Sequence, residues 1–308
     1  MKIGSYNIEN LIERFHEKYK SSRMKIPYGT PPSDFLDITK DRRFKNIKLS
    51  QEKLDRLSEV IRKNNADVLA LQEVDDLDTL RSFNRSCLKY RYPYALLIEG
   101  NDPRWIDIGL LSKLPIGNVR THQYLKFRPQ GQRERYIFSR DLLEVDIHSH
   151  QREKLFTLFV NHLKSKREVG KKGSSDALRK RQAEAVRDRV KERFKDSEGA
   201  YIILGDMNDT PGSDPLQPLF ELPVTSAFEK LQPQDRWTHY YKGGKEHNQL
   251  DHILLSRSLA GQARNPFIDR SGMLSTTPGL KLDEQNSKIR KKGEHASDHA
   301  AVFVELEI

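Results

Sequence analysis

The sequence predicts an α/β protein built in layers. Three observations lead there. Short apolar runs of strand length recur along the chain, two stretches of helical periodicity lie between them, and no repeat of fixed period is present. The chain has 308 residues, enough for one large domain or two small ones with a substantial core.

The expected strands are, in order, KIGSYNI (2–8), ADVLALQEV (66–74), IDIGLLSK (106–113), LLEVDI (142–147), KLFTLFVNHL (154–163), AYIILGDMN (200–208), QLDHILLS (249–256) and AAVFVELEI (300–308). Each is short and rich in branched apolar residues, and most end in a polar cluster. A first helix follows Ser50, a suitable N-cap, with Leu54, Leu57, Val60 and Ile61 on one face. A second spans roughly 175–195, with Ala177, Leu178, Ala183, Val186, Val190 and Phe194 facing the core and Arg and Lys on the other side. Two stretches read as loops or insertions. One is about 13–50, centred on PYGTPPSD; the other is about 261–294, ending LDEQNSKIRKKGEH, and is expected to be mobile.

Composition narrows the function classes. Lys+Arg 54 against Asp+Glu 44 gives a formal net charge of +10 and a pI near 9.4, which suits an anionic partner. Hydrophobic residues at 36% argue against wholesale disorder. A single cysteine, Cys87, excludes an intrachain disulfide framework and a multi-cysteine metal site, and reads as a packing or surface thiol. No apolar run approaches the ~18 residues that span a bilayer. The start, MKIGSYNIENLIERF, lacks the apolar segment of a secretory signal. The expectation is a cytoplasmic monomer with no membrane partner.

Polar residues fall at the ends of the apolar runs. Asn7 closes the first, Glu73 the second, and His162 follows FVN. Asp206 and Asn208 follow YIILG, Asp251 stands inside QLDHILL, and Asp298 and His299 precede AAVFVEL. Singly, each has an ordinary explanation: a turn former, a cap, a surface histidine. Asp251 is the exception, because a carboxylate inside an apolar strand needs a partner. Together they make up what phosphate-ester hydrolysis requires. Hard oxygen ligands hold Mg²⁺, a carboxylate or histidine activates water, and a cation, histidine or amide steadies charge on phosphorus-bound oxygens. One general base contributes ~10²–10⁴-fold, whereas hydrolysis of a phosphate ester needs far above ~10¹⁰, so a metal and positioned donors must supply the rest.

The ordered set SYNIEN, LQEV, FSRD, VNHLKS, LGDMND, QLDHILLS and ASDH resembles the endonuclease/exonuclease/phosphatase superfamily, the DNase I-like fold. The resemblance runs from residue 3 to the C-terminus, and so implies a single domain over 1–308. It implies a four-layer α/β sandwich of two mostly antiparallel sheets packed face to face with helices outside. It also implies Asn7 and Glu73 as metal-site residues, joined by Asp298, with Mg²⁺ as cofactor and Mn²⁺ as the alternative ion. His299 becomes the catalytic histidine, held by Asp251, and His162 a hydrogen-bond partner of a phosphate oxygen. Asp206 aligns or deprotonates water, Asn208 supplies a stabilising amide, and Arg140 of FSRD touches phosphate. Asp107 lies near where some members place a carboxylate behind the first histidine, and equally near an ordinary strand entry. The segment VNHLKSK resembles bacterial nuclease-type and phosphohydrolase-type members more than the abasic-site branch.

The first functional reading is a nuclease acting on DNA or RNA. Basic segments at 128–135, 164–172 and 288–292 would meet phosphates, and Trp105, Tyr124, Trp237, Tyr240 and Tyr241 are candidates to stack on bases. The alternative is a phosphatase or phosphodiesterase of a small anion: an inositol phosphate, a phospholipid headgroup or a nucleotide. An inactive binding module is disfavoured by the completeness of the residue set.

Overall fold

The computed structural model describes residues 1–11, 13–17, 44–102, 104–129, 131, 133–166, 174–195, 199–282, 286–290 and 293–308. Two six-stranded sheets form the centre. The first contains β1 (Lys2–Leu11), β4 (Val68–Val74), β5 (Tyr94–Leu97), β6 (Asp107–Ser112), β17 (Ala263–Asp269) and β18 (Ala301–Leu306), in the order β17-β18-β1-β4-β6-β5. The second contains β7 (Ile116–Thr121), β10 (Leu143–His148), β11 (Lys154–His162), β12 (Tyr201–Asp206), β13 (Val224–Ser226) and β16 (Asp251–Ser256), in the order β13-β16-β12-β11-β10-β7. Small hairpins pair β2 (Glu13–Glu17) with β3 (Phe44–Lys48), β8 (Lys126–Phe127) with β9 (Arg135–Tyr136), and β14 (His239–Tyr241) with β15 (Glu246–Asn248).

The sheets share one plan. Each is antiparallel except at its centre, where β1 runs parallel to β4 and β11 parallel to β12. The C-terminal ends of these four strands therefore gather at one pole. Their antiparallel neighbours β18 and β16 begin at that same pole. This is why so many of the polar motifs sit at strand ends.

The strands read as nearly unbroken apolar runs because both faces are buried. Alternate side chains divide between layers. Ile3, Val68, Ala70, Ile108, Val160, Ile202, Leu204, Ile253 and Val302 meet between the sheets. On the outer face of the first sheet, Tyr6, Leu69, Leu71 and Phe303 meet α1 (Gln51–Asn64) and α2 (Leu77–Ser86) through Leu57, Val60, Ile61, Leu80 and Phe83. On the outer face of the second, Phe159, Ile203 and Leu254 meet α3 (Ser174–Phe194) through Ala183, Val186 and Val190. The four-layer sandwich is therefore present. Ser50 caps α1 by accepting the Lys53 N–H at 3.2 Å, and Asp76 caps α2 by accepting that of Thr79 at 2.8 Å.

Two expectations change. The stretch 261–294 is not a loop throughout, since β17 pairs along β18 at the sheet edge; Asn265 and Pro266 mask it in the sequence. In α3, Arg179 does not face solvent with the other cations but is fully buried. Of the 13–50 stretch, the hairpin β2–β3 is described, while PYGTPPSD and most of the basic run 164–172 lie outside the described residues.

Candidate active site

Asp206 is the hub of the strand-end pole. Its Oδ2 accepts the Asn7 amide at 3.0 Å and the Asn208 amide at 3.0 Å, and its Oδ1 accepts the Asn208 backbone N–H at 2.8 Å. His162 Nε2 lies 3.4 Å from Oδ2 and His299 Nε2 lies 3.9 Å from it. Glu73 Oε1 is 4.0 Å from His162 Nε2. Asp298, half exposed, stands at the rim, 3.9 Å from His239 Nε2. Asn7 and Glu73 come from the first sheet, His162, Asp206 and Asp251 from the second, and His299 from the lead into β18. All the strand-end residues singled out in the sequence converge here.

Local backbone geometry aims them. Glu73 has φ 67, at a register shift between Gln72 and Val74 that turns its carboxylate out of the strand alternation. Asn208 also adopts a left-handed conformation, with φ 53. Gly205, φ +132, sits against β11 so closely that a Cβ would lie 2.0 Å from the Asn161 carbonyl. Only glycine brings Asp206 to its place.

The electrostatics are divided. Burial first, then the neighbouring Asp251, push the Asp206 carboxyl up to about 7, against lowering by His299 and the Asn7 amide. Burial also raises Glu73, with Asp298 adding to it while His299 and Arg140 oppose. Burial works against charge on His299, but Asp251 and Asp206 overcome it and hold the ring well above its ordinary value. His162 goes the other way: burial, then Arg140 and His299, hold it well below. At neutral pH one ring is an imidazolium and the other is neutral.

Asp251 meets its expected partner. Its Oδ2 lies 2.8 Å from His299 Nδ1, which points Nε2 toward Asp206. Arg140 is buried beneath the site, its NH1 on Asp102 Oδ2 at 3.1 Å and Ser139 Oγ at 3.0 Å, its NH2 on the Leu163 carbonyl at 3.0 Å. The Asn208 amide also donates to that carbonyl, at 3.1 Å, so in this state it braces Asp206. Asp107 accepts the Gly100 N–H at 2.9 Å, and among the described residues His162 Nδ1 is buried without a hydrogen-bond partner. Trp237 is buried with Arg270 over its ring at 4.2 Å, whereas Tyr124 and Tyr241 are exposed.

Several positioning residues escape a sequence reading. Ser297 Oγ donates to the Asn7 carbonyl at 2.6 Å and accepts the His299 N–H at 3.0 Å, tying two site strands together. Thr238 Oγ1 accepts the Asp251 N–H at 3.1 Å. Arg179 reaches from α3 to Asp209, NH2 to Oδ2 at 2.7 Å, and His252 Nε2 lies 2.9 Å from the Asp209 carbonyl. Together they fix the turn after Asp206. Each is a common residue type whose meaning lies in a distant partner. Only the SDH and GDMND runs hint at Ser297 and Asp209.

A divalent cation fits this donor set. Asp206, Asp251 and His299 place ligand atoms within 4.8 Å of one another and so could hold a metal. However, Asp251 Oδ2 and His299 Nδ1 already face each other across a hydrogen bond, which coordination there would break. Asn7, Glu73 and Asp298 add hard-oxygen donors at the same pole. Burial is the first cause that raises both the Asp206 and the Glu73 carboxyls, and a cation bound beside them would favour their charged forms.

Fold and site define a hydrolase of phosphate esters. The model of the Endonuclease/Exonuclease/phosphatase family matches residues 5–299, and the chain belongs to that family. No curated protein matches the sequence. Among solved structures the chain is similar to truncated Caenorhabditis elegans TDP2, at 15% identity, covering 98% of this chain and 95% of that one, with a TM-score of 0.56. It is similar to the 3' phosphatase NExo from Neisseria bound to product DNA hairpin, at 13% identity, 100% of both chains and TM-score 0.58. It is also similar to a Bacteroides thetaiotaomicron mannosyl-6-phosphatase, at 14% identity, 100% of both chains and TM-score 0.55. These likenesses establish a DNase I-like fold. Among the described residues no helix is long and apolar enough to cross a membrane.

Proposed function

We propose that the protein is a divalent-metal-dependent nuclease that hydrolyses phosphodiester bonds in DNA, with RNA as the alternative polymer, by attack of water on phosphorus. The observation that carries this reading is the meeting of Asp206, His162, His299 and Glu73 at one pole, beneath a chain of net charge +10. The fold does not choose between polymer and small ester, since a mannosyl-6-phosphatase shares it. The cationic surplus favours the polymer, because a polyanion rewards many contacts and a small ester few.

Asn7, Glu73 and Asp298 would hold the ion, Mg²⁺ or Mn²⁺, which when bound supplies Lewis-acid polarisation of a phosphoryl oxygen. The chain's own groups do the rest. Asp206, with a pKa of about 7, is suited to take the proton of the attacking water. As the new P–O bond forms, the bond to the leaving oxygen breaks and that oxygen departs with the pair. Charge on the non-bridging oxygens meets the His299 imidazolium, fixed by Asp251, and a ring N–H of His162.

The test is incubation with supercoiled plasmid, single-stranded DNA, RNA and a small phosphodiester in parallel, with Mg²⁺, Mn²⁺ or EDTA. Metal-dependent cleavage of nucleic acid, abolished by EDTA, is expected. Turnover of the small ester with every polymer intact would instead assign the site to a small anion such as an inositol phosphate, phospholipid headgroup or nucleotide.

A further inference from the structure

We propose that the hairpin β8–β9 is a nucleic-acid-binding arm, which holds the phosphates and bases of a single strand beside the reaction centre. The proposal rests on the nuclease reading above and names the surface that distinguishes a polymer from a small ester.

Topology places the hairpin. Thr121, the last residue of β7, pairs with Leu143, and Leu143 pairs with Val160, two residues before His162. The chain that links β7 to β10 therefore leaves and re-enters the second sheet at the active pole. Only β10 stands between β7 and β11, so two strand spacings, roughly 10 Å, separate the root of the hairpin from the strand of His162. That root is tethered. The Asn101 amide donates to the Gln123 carbonyl at 2.9 Å and the Phe138 carbonyl at 3.3 Å, and the Ile137 N–H donates to the Leu125 carbonyl at 2.8 Å. Gln182 of α3 bridges hairpin and catalytic strand: its Nε2 donates to the Ile137 carbonyl at 2.8 Å, and its Oε1 accepts the Lys164 N–H at 2.7 Å.

The arm carries one sign of charge. Lys126, Arg128, Arg133 and Arg135 stand against a single acid, Glu134, which pairs with Lys126 at 3.3 Å. Arg128, Arg133 and Arg135 are exposed, and among the described residues no side-chain hydrogen bond or ion pair engages them. Arg181 of α3, also exposed, lies over the Phe127 ring at 4.7 Å and adds a fourth guanidinium to the same surface. Two tyrosines stand open among these cations, Tyr124 at 59% and Tyr136 at 46% exposure. A hairpin kept for solubility alone would intersperse both signs and would not hold aromatic rings in water. Unpaired guanidiniums suit phosphates, and open tyrosine faces suit unstacked bases. The combination fits a single strand running from the reaction centre across β10 and β7.

The experiment measures binding of a phosphorothioate DNA strand of about 20 nucleotides in Mg²⁺, over a series of salt concentrations, by fluorescence anisotropy. Wild type is compared with the arm triple Arg128→Gln, Arg133→Gln, Arg135→Gln. A charge-matched control triple, Arg81→Gln, Arg85→Gln, Lys89→Gln, removes exposed cations on and just after α2, against the other sheet. Circular dichroism verifies folding, and Arg133→Gln alone replaces the arm triple should that one fold poorly. The arm triple is expected to weaken binding roughly 10²-fold near 0.1 M salt and to lower the slope of log K against log[salt] by about 2, three single-strand phosphate contacts at ~0.7 each. The single variant is expected to give about fivefold and 0.7. Tyr124→Ala is expected to weaken binding about fivefold or more with the slope unchanged, as loss of stacking would. An arm triple that binds like a salt-dependent wild type overturns the arm and leaves the nuclease reading standing. Equal losses in the arm and control triples overturn it too, since net charge alone then accounts for binding. A Tyr124→Ala protein that binds like wild type overturns the arm as a single-strand surface. A wild type whose strand affinity does not respond to salt overturns both the arm and the nuclease reading.

Discussion

His299 Nδ1 lies 2.8 Å from Asp251 Oδ2, a hydrogen bond that joins the lead into β18 of one sheet to the first residue of β16 in the other. The bond does two things at once. It closes the sandwich at the active pole, and it sets both the tautomer and the charge of the ring.

Asp251→Asn removes the largest influence raising His299, so the imidazolium loses its proton at lower pH. The alkaline limb of the kcat/KM profile moves to lower pH, and kcat at neutral pH falls about 10²–10⁴-fold. A pH–rate series on a small phosphodiester checks this. An alkaline limb that stays in place would detach Asp251 from the ring's protonation.

Asp206 is raised by burial, so its protonated form is favoured in the folded state. Its contribution to stability is whole below the unfolded value near 3.8 and lost as pH rises through about 7. Metal-free Asp206→Asn should therefore be the more stable protein at pH ~8, by about 2 kcal/mol or more, with little activity. The gap closes near pH ~4 and narrows when Mg²⁺ is added to wild type. Thermal melts in EDTA and in Mg²⁺ at both pH values measure it.

The Arg179–Asp209 pair is buried on both sides, and without Arg179 the Asp209 carboxylate keeps the half-exposed Lys166 at 2.9 Å. Arg179→Met is expected to cost about 1.5–3 kcal/mol of stability, the range for lost hydrogen bonds to a charged group. Because the pair anchors the turn carrying Asn208, kcat should fall in the fraction that still folds. Denaturant unfolding beside steady-state kinetics separates the two effects.

Gly205→Ala drives a methyl into the Asn161 carbonyl at a φ that side chains rarely adopt. A loss of about 3 kcal/mol or more is expected, or failure to fold. Urea denaturation gives the number, and a near-neutral result would contradict the close approach of β11 and β12.

Much of this molecule is legible in its sequence because its central strands are buried on both faces. Runs such as YIIL (201–204) and VLAL (68–71) have no polar alternation to confuse them, and the eight expected strands are all present. Edge strands are not legible. Tyr94–Leu97, Ile116–Thr121 and Ala263–Asp269 have a partner on one side only and carry weak or broken apolar patterns. At the site, the strand-end carboxylates and histidines stand out because each interrupts or ends an apolar run. Arg179 does not, since a cation on a basic helix looks solvated until Asp209 is seen beneath it. Ser297 is hidden for the same reason: its partners Asn7 and His299 acquire meaning only when the chain is folded.

The convergence of both sheets on one hydrolytic centre is tested most directly by the single-turnover rate of His299→Ala against wild type, in Mg²⁺, on a radiolabelled DNA strand. Both proteins are first shown to share the same circular dichroism spectrum. A fall in rate of at least about 10²-fold with the fold intact is predicted. A folded His299→Ala protein that cleaves at the wild-type rate would contradict it.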